Sequence, residues 1–167
     1  CIMEYFLQTT DYVGVSFWLV SVAMVASTVF FLYEGMHVKA SWRLSMLVIG
    51  LVTLIAAIHY FYMRDVWVAT NDSPTVFRFV DWLLTVPLQI IEFYLILAAI
   101  AVVAVSVFWR LLIASVVMLV AGYLGEVNAA DPNMLWVCFG IGLLAWFYII
   151  REVFVGEASK INASSGS

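Results

Sequence analysis

Residues 76–102 read VFRFVDWLLTVPLQIIEFYLILAAIAV. This stretch is long enough to cross a bilayer as one helix, because a spanning helix needs about 20 mostly apolar residues. The whole sequence has the same character, being 66% hydrophobic and 11% charged with a mean hydropathy of +1.09. A water-soluble domain is about half apolar and about a quarter charged, so the composition excludes that class. The net charge of −4 gives no support for a nucleic-acid partner, and two cysteines give none for a metal site.

Four further apolar runs flank this stretch, so the chain is predicted to cross the membrane five times. By the same length rule the spans lie at roughly 12–33, 42–63, 76–102, 107–125 and 134–155. Each run is too long for a barrel strand and lacks its alternation, which leaves helices as the assignment. We therefore expect an all-α integral membrane protein with a single transmembrane helical domain over residues 1–167.

The basic residues indicate which ends of the spans face the cytoplasm. Arg64 falls on one side, whereas the other side carries Lys39, Arg43, Arg110, Arg151 and Lys160. Cytoplasmic loops of membrane proteins are enriched in Lys and Arg. The N-terminus is therefore expected outside the membrane, which the chain crosses several times.

The third span carries ionisable side chains inside its apolar stretch, where such groups are costly and usually mark a pathway. Arg78 and Asp81 are one helical turn apart and close enough to pair, which favours the charged form of Asp81. Glu92 lies nearly on the same face and, at about 1.5 Å per residue, roughly 16 Å deeper. Its apolar neighbours favour the protonated form, so one carboxyl group can accept a proton while the other donates one.

The same residues also have a purely structural interpretation. Arg78 and Asp81 can form a buried ion pair that holds the helices together, with Glu92 protonated and bonded to a neighbouring helix. Pro87 leaves the carbonyl of Leu83 without its helical donor, which is common beside ligand cavities and is also a frequent neutral feature of membrane helices. The order of the charged groups along one face favours transport.

The third span resembles a known family. Its segment RFVDWLLTVPL at 78–88 resembles the third helix of microbial rhodopsins, and QIIEFYLIL at 89–97 resembles the proteorhodopsins, which are marine bacterial light-driven proton pumps. The resemblance extends to VSFWLV at 15–20, HYFYMR at 59–64 and GYLGE at 122–126. It implies retinal as the chromophore and the seven-transmembrane-helix microbial rhodopsin fold, of which this chain supplies the first five helices.

The resemblance implies a role for each group in proton transfer. Asp81 would be the counterion of the retinal Schiff base and the primary proton acceptor, and Glu92 would be the cytoplasmic proton donor. Arg78 would belong to the counterion complex and help to keep Asp81 ionised. His59 would hydrogen-bond Asp81 and tune its proton affinity, although a histidine in such a place is often only satisfied by a neighbouring helix.

The resemblance also implies a retinal pocket and an oligomer. The pocket residues would be Trp82, Thr85, Gln89, Met118, Gly122 and Trp146, although such a set at helical spacing is more often plain core packing. Gln89 stands where the green-absorbing members carry leucine. Its dipole near the Schiff base would stabilise the ground state, so blue absorption is expected unless a neighbouring helix binds its side chain. Trp18 and His59 would meet across protomers in a homo-oligomeric ring, a pentamer or hexamer.

In one respect the sequence departs from the family. The family binds retinal through a lysine of the seventh helix, whereas the two lysines here, Lys39 and Lys160, fall in predicted cytoplasmic loops. Neither is expected to reach a pocket in the middle of the bilayer. Helices six and seven, with the binding lysine, are therefore expected to be missing from this chain, which by itself should not pump.

The resulting hypothesis is a light-driven outward proton pump, a transporter rather than an enzyme. One alternative is a retinal photosensor with a slow photocycle and no significant net transport, which the carboxylic donor Glu92 disfavours. Another is a chloride or sodium pump, which Asp81 and its surrounding motif disfavour. The last is a retinal-free helical scaffold, which would show no visible chromophore after retinal is added.

Overall fold

The structure is a computed structural model and describes residues 6–157, 159 and 160. Five helices follow one another: α1 Tyr12–His37, α2 Ala40–Thr70, α3 Thr75–Ile100, α4 Val105–Val127 and α5 Pro132–Phe154. Each is long and apolar enough to cross a membrane, with mean hydropathies between 1.9 and 2.2. Within the described residues there is no strand, and consecutive helices pack against each other. The predicted all-α membrane fold with five spans is therefore confirmed, while the domain limits at 1 and 167 lie outside the described residues.

Two helices run past the ends of the predicted spans. α1 continues to His37 rather than 33, and α2 continues to Thr70 rather than 63. At about 1.5 Å per residue, the 31 residues of α2 rise about 46 Å, well beyond a hydrocarbon core of about 30 Å. Hydropathy marks where the lipid ends, but the backbone hydrogen bonds of a helix continue into water, so the apolar run underestimates the helix.

Side chains and turn residues fix several helix ends. Asp11 Oδ1 accepts a hydrogen bond from the Gly14 amide at 2.9 Å and so caps α1. The same carboxylate accepts from Trp67 Nε1 at 2.9 Å, which ties the start of α1 to the end of α2. Asn71 ends α2 in the left-handed conformation, with a φ of 53°. The Asp11 contacts hold the start of α1 against the end of α2.

Small residues let neighbouring helices approach closely. A Cβ built on Gly125 of α4 would lie 3.1 Å from the Cβ of Cys138 on α5. Between α1 and α2, the hydroxyls of Thr28 and Thr53 lie 2.9 Å apart in a buried contact. Small residues and buried hydroxyls at helix contacts are typical of membrane bundles, where lipid gives no hydrophobic drive to association.

The outward faces of the helices are apolar. Large side chains on α1 and α5 are more than half exposed, among them Leu19, Phe30, Trp136 and Leu144. Such a surface suits a lipid bilayer rather than water. The chain is accordingly a multi-pass membrane protein.

Candidate functional site

Residues of α1 to α4 line a partly open cavity of about 630 Å³, here called the central cavity. Its lining includes Asp81, Trp82, Thr85, Gln89 and Glu92 from α3 and Met118 and Gly122 from α4. The volume lies within the range of about 300–1,000 Å³ typical of small-molecule sites. A smaller groove of about 170 Å³ between α3 and α4 is lined by residues such as Phe79 and Leu119 and has no carboxylate or basic side chain. The ionisable groups therefore place the candidate site in the central cavity.

Helical periodicity brings the polar residues of α3 to this cavity. Asp81, Thr85 and Gln89 recur every four residues, so they lie above one another on one face. Asp81 is 3% exposed and Thr85 is 5% exposed, and the Thr85 hydroxyl donates to the Asp81 carbonyl at 2.9 Å. Pro87 lies inside α3 and has no N–H to donate to the carbonyl of Leu83. The polar face of α3 thus borders the cavity along much of the helix.

Asp81 has an unused acceptor at this site. Its Oδ1 is buried and has no hydrogen-bond partner among the described residues. Among the described ion pairs, Asp81 is paired with His59, whose Nδ1 lies 3.4 Å from Oδ1. However, His59 Nδ1 is closer to the carbonyl of Ile55, at 2.9 Å, and a contact with a carbonyl requires that this nitrogen carry the proton. His59 therefore donates along its own helix and leaves the carboxylate oxygen open.

Arg78 does not pair with Asp81 in this structure. Its Nη2 contacts the carboxylate of Glu126 at the end of α4, and its guanidinium lies 5.5 Å from the ring centre of Trp82. The Glu126 oxygen also accepts from the Thr75 hydroxyl at 2.8 Å. Side chains of a helix lean toward its N-terminus, and a long arginine extends toward the polar boundary, whereas the short Asp81 stays buried. The separation of one helical turn between Arg78 and Asp81 therefore did not predict the ion partner of Arg78.

Glu92 lies at the same cavity as Asp81. It is partly buried, and Gln89 and Val86 line the cavity beside it. The two carboxyl groups therefore line one cavity along α3, as the helical spacing predicted. Neither has a basic partner among the described ion pairs, apart from the long contact of Asp81 with His59.

Trp146, which was expected in the pocket, and Trp18, which was expected at the oligomer contact, both lie outside the central cavity. Trp146 is 46% exposed on α5 and packs beside Phe147 with ring centres 5.1 Å apart, and it does not line the central cavity. Trp18 is 47% exposed on α1 and borders a separate cavity of about 420 Å³ with Arg64 and Asp65. A tryptophan outside α2 to α4 can reach a shared cavity only through tertiary packing, which periodicity along one helix does not predict.

Sequence reasoning missed several residues that the structure places at or near the site. Tyr60 and Thr53 of α2 line the central cavity, and Glu126 is the partner of Arg78. The last was accessible from topology, because the start of α3 and the end of α4 must lie at the same side of the membrane. Glu152, near the end of α5, is 2% exposed and was not singled out.

The fold and this site agree with the protein family found by comparison with known sequences. A family model described as a bacteriorhodopsin-like protein matches residues 11–167, and the chain belongs to this family. Among curated relatives, the chain is 58% identical over 160 residues to a green-light absorbing proteorhodopsin from Gamma-proteobacterium EBAC31A08. It is 54% identical over 151 residues to a blue-light absorbing proteorhodopsin from Gamma-proteobacterium Hot 75m4. Proteorhodopsins are thus among its homologues, as the sequence predicted.

This chain spans only part of the length of those relatives. The alignments include 95% and 90% of this chain but only 63% and 59% of the two relatives, so the chain spans about three fifths of their length. Among solved structures, the blue light-absorbing proteorhodopsin from Med12 superposes with a TM-score of 0.78 at 52% identity, covering 93% of this chain and 73% of that one. Exiguobacterium sibiricum rhodopsin superposes with a TM-score of 0.80 at 34% identity, covering 90% and 66%. The five helices therefore have the microbial rhodopsin arrangement.

Proposed function

We propose that this chain forms the proton-conducting part of a light-driven outward proton pump with retinal as its chromophore. The observation that carries the proposal is the central cavity, which holds Asp81 and Glu92 on one face of α3. Two relatives are named as light-absorbing proteorhodopsins, and this supports a function driven by light. A membrane cavity with two separated carboxyl groups suits proton transfer in two steps.

The residues of the cavity fit a retinal Schiff base. The buried Asp81 Oδ1 has no hydrogen-bond partner among the described residues, and a buried carboxylate is stable only beside a cation or a donor. When bound, retinal would supply a protonated Schiff base and a light-driven change of shape. Trp82, Met118 and Gly122 would border its chain within the apolar part of the cavity. Trp146 would join this pocket only if further helices bring it inward.

The chain's own residues then divide the proton path. Asp81 accepts a proton at Oδ1 and passes it to the outer side, with Arg78 and Glu126 lying between Asp81 and the ends of the helices. Glu92 supplies the replacement proton from the inner side. His59 adjusts how firmly Asp81 holds its proton, because its ring nitrogen lies 3.4 Å from the carboxylate.

The two lysines of the sequence do not reach this cavity. Lys39 is the N-cap residue just before α2, and Lys160 is exposed beyond the end of α5. We therefore infer that the Schiff-base lysine belongs to the seventh helix of the full-length protein, outside residues 1–167. The inner membrane is the proposed location, with the N-terminus outside and the lysine-bearing helix ends in the cytoplasm.

Blue absorption and a ring-shaped homo-oligomer complete the proposal. Gln89 lines the cavity two turns beyond Asp81, where an amide dipole acts on the Schiff-base half of the chromophore. The half-exposed Trp18 is free to contact a second protomer near His59, whose side chain is 19% exposed. Replacement of Trp18 by alanine should lower the oligomer mass in detergent without loss of colour.

The test uses the full-length protein expressed with retinal in bacterial cells. We expect a visible band in the blue and light-dependent acidification of the medium that a protonophore abolishes. Asp81→Asn should abolish the acidification, and Asp72→Asn, the same change at an exposed residue between α2 and α3, should leave it intact. A blue band without acidification would favour the photosensor, and the absence of any band would leave the scaffold interpretation.

A further inference from the structure

Glu152 is a buried carboxyl group that the proposed proton path does not use. Its side chain is 3% exposed, and its Oε1 has no hydrogen-bond partner within the described residues. Buried polar groups in proteins nearly always have partners. A Cβ built on Gly156 would lie 2.7 Å from Glu152 Oε2, so the chain beyond α5 closes directly over the carboxyl group. Apart from a 3.5 Å contact with Arg110, Glu152 Oε1 is thus without a partner among the described residues, and it can take a proton.

Glu152 belongs to a charged cluster at the inner end of α4 and α5, formed with Arg110 and Glu157. Arg110 Nη1 lies 3.5 Å from Glu152 Oε1, and Arg110 Nη2 donates to Glu157 Oε2 at 2.5 Å. Glu157 is exposed, with 43% of its side chain in contact with solvent. Tyr148 is a further titratable neighbour of Arg110. Two carboxylates share one guanidinium, and the excess negative charge attracts protons from the adjoining water.

One apolar cluster lies against α3 near Glu92 and against α5 near Glu152. Its buried residues, Leu97, Val103, Val107 and Leu111, come from α3, α4 and the turn between them. Ile149 and Val153, which flank Glu152 along α5, pack against it, and so do Ile90 and Phe93, which flank Glu92 along α3. The helix segments that carry the two carboxyl groups therefore pack against the same apolar cluster, with Glu152 nearer the end of its helix.

We propose that Glu152 is the relay through which Glu92 regains its proton, an inference that rests on the proposed function. A proton from the water at the inner surface adds to the Glu152 carboxylate, which lies beside the partly exposed Arg110. When the apolar cluster loosens, the Glu152 O–H bond breaks and the proton passes to the ionised Glu92. Glu152 is left as a carboxylate beside Arg110, and the step involves no oxidation or reduction.

The experiment compares Glu152→Gln with Glu157→Gln in the full-length, retinal-bound protein. Flash spectroscopy measures the recovery of the ground state, and a pH-indicator dye measures proton uptake. A relay contributes as a general acid, so Glu152→Gln should slow both by about tenfold or more, and the recovery should become proportional to the proton concentration. A small permeant weak acid should restore the recovery. Glu157→Gln removes the same charge and a bond to the same Arg110 but leaves the relay, so it should slow recovery less than about threefold.

Each outcome decides between the relay and a merely structural role. Recovery at the normal rate in Glu152→Gln, or slow recovery that the weak acid does not restore, would overturn the relay. If the glutamine prevents pigment formation, Glu152→Asp and Glu152→Asn repeat the comparison, and only the asparagine should be slow. Absence of light-driven proton movement in the unmodified protein would remove the proposed function and this inference together, whereas normal pumping with an unaffected Glu152→Gln removes the inference alone.

Discussion

The hydroxyl contact between Thr28 and Thr53 offers a quantitative test of how α1 and α2 are held together. The two oxygens lie 2.9 Å apart in a buried position. Thr28 also lies 2.8 Å from the carbonyl of Met24, and Thr53 lies 3.0 Å from the carbonyl of Gly50. Each hydroxyl has a single proton to donate, so the two side chains cannot both bond their own helices and each other. One of them must donate across the interface.

Because the protons are shared in this way, the contact between Thr28 and Thr53 is expected to contribute only a small free energy to the stability of the protein. Hydrogen bonds between membrane helices contribute about 0.6 kcal/mol on average and about 1.7 kcal/mol at most. Because Thr→Val keeps the shape of the side chain, Thr28→Val and Thr53→Val should each lower the free energy of unfolding by about that amount. The double variant should lower it by less than the sum of the two, because the shared bond is lost only once.

The assay is equilibrium unfolding of the purified full-length protein, from mixed micelles into denaturing detergent, for the four members of the cycle. Ser27→Ala is the matched control, because the Ser27 hydroxyl bonds only its own helix at the Ala23 carbonyl and faces outward. A coupling energy within about 0.3 kcal/mol of zero would refute the interhelical bond. A loss in Ser27→Ala as large as in Thr28→Val would show that the bond within the helix, and not the contact with Thr53, accounts for the effect.

Three further predictions use other parts of the structure. Asp11→Ala should lower the free energy of unfolding by about 1–2 kcal/mol, because it removes the cap of α1 together with the bond from Trp67, whereas Trp67→Phe keeps the cap and should cost less. Gly125→Val should cost about 1–3 kcal/mol in the same unfolding assay by forcing α4 and α5 apart. Gly140→Ala, with no atom within 4 Å of the added Cβ, should be neutral or stabilising, and equal losses at both glycines would contradict the close packing. Gln89→Leu should move the absorption band toward green light, and Glu92→Gln should slow the return to the ground state while leaving the colour nearly unchanged; an unshifted band in the first variant would contradict the role of the amide dipole.

Some aspects of the site followed from the local sequence. Helical periodicity alone placed Asp81, Thr85 and Gln89 on one face of α3, and the structure brings all three to the central cavity. The same periodicity placed Glu92 near that face, and it too lines the cavity. The identity of the class was also visible in the third span, because its charged residues stand at fixed spacing in an otherwise apolar stretch.

Contacts between helices did not follow from spacing. Arg78 was expected beside Asp81, one turn away, but it contacts Glu126, which is distant along the chain. Trp146 was expected in the pocket, but it is nearly half exposed on α5. Both outcomes depend on how the helices are rotated against one another. A long side chain can contact any of several partners within its reach, so spacing along one helix does not determine which one it contacts.

Hydropathy and helical periodicity were enough to predict that residues 12–155 lie in a membrane, form five spanning helices and carry two carboxyl groups along one face of α3. These properties follow from hydropathy and from the period of the helix, and both are local. The packing of the helices was needed to show that a buried Asp81 oxygen has no hydrogen-bond partner among the described residues, that Arg78 contacts Glu126, and that Glu152 is buried beside Arg110. Burial and pairing depend on which faces of separate helices meet, which is a property of the packed bundle rather than of any one segment.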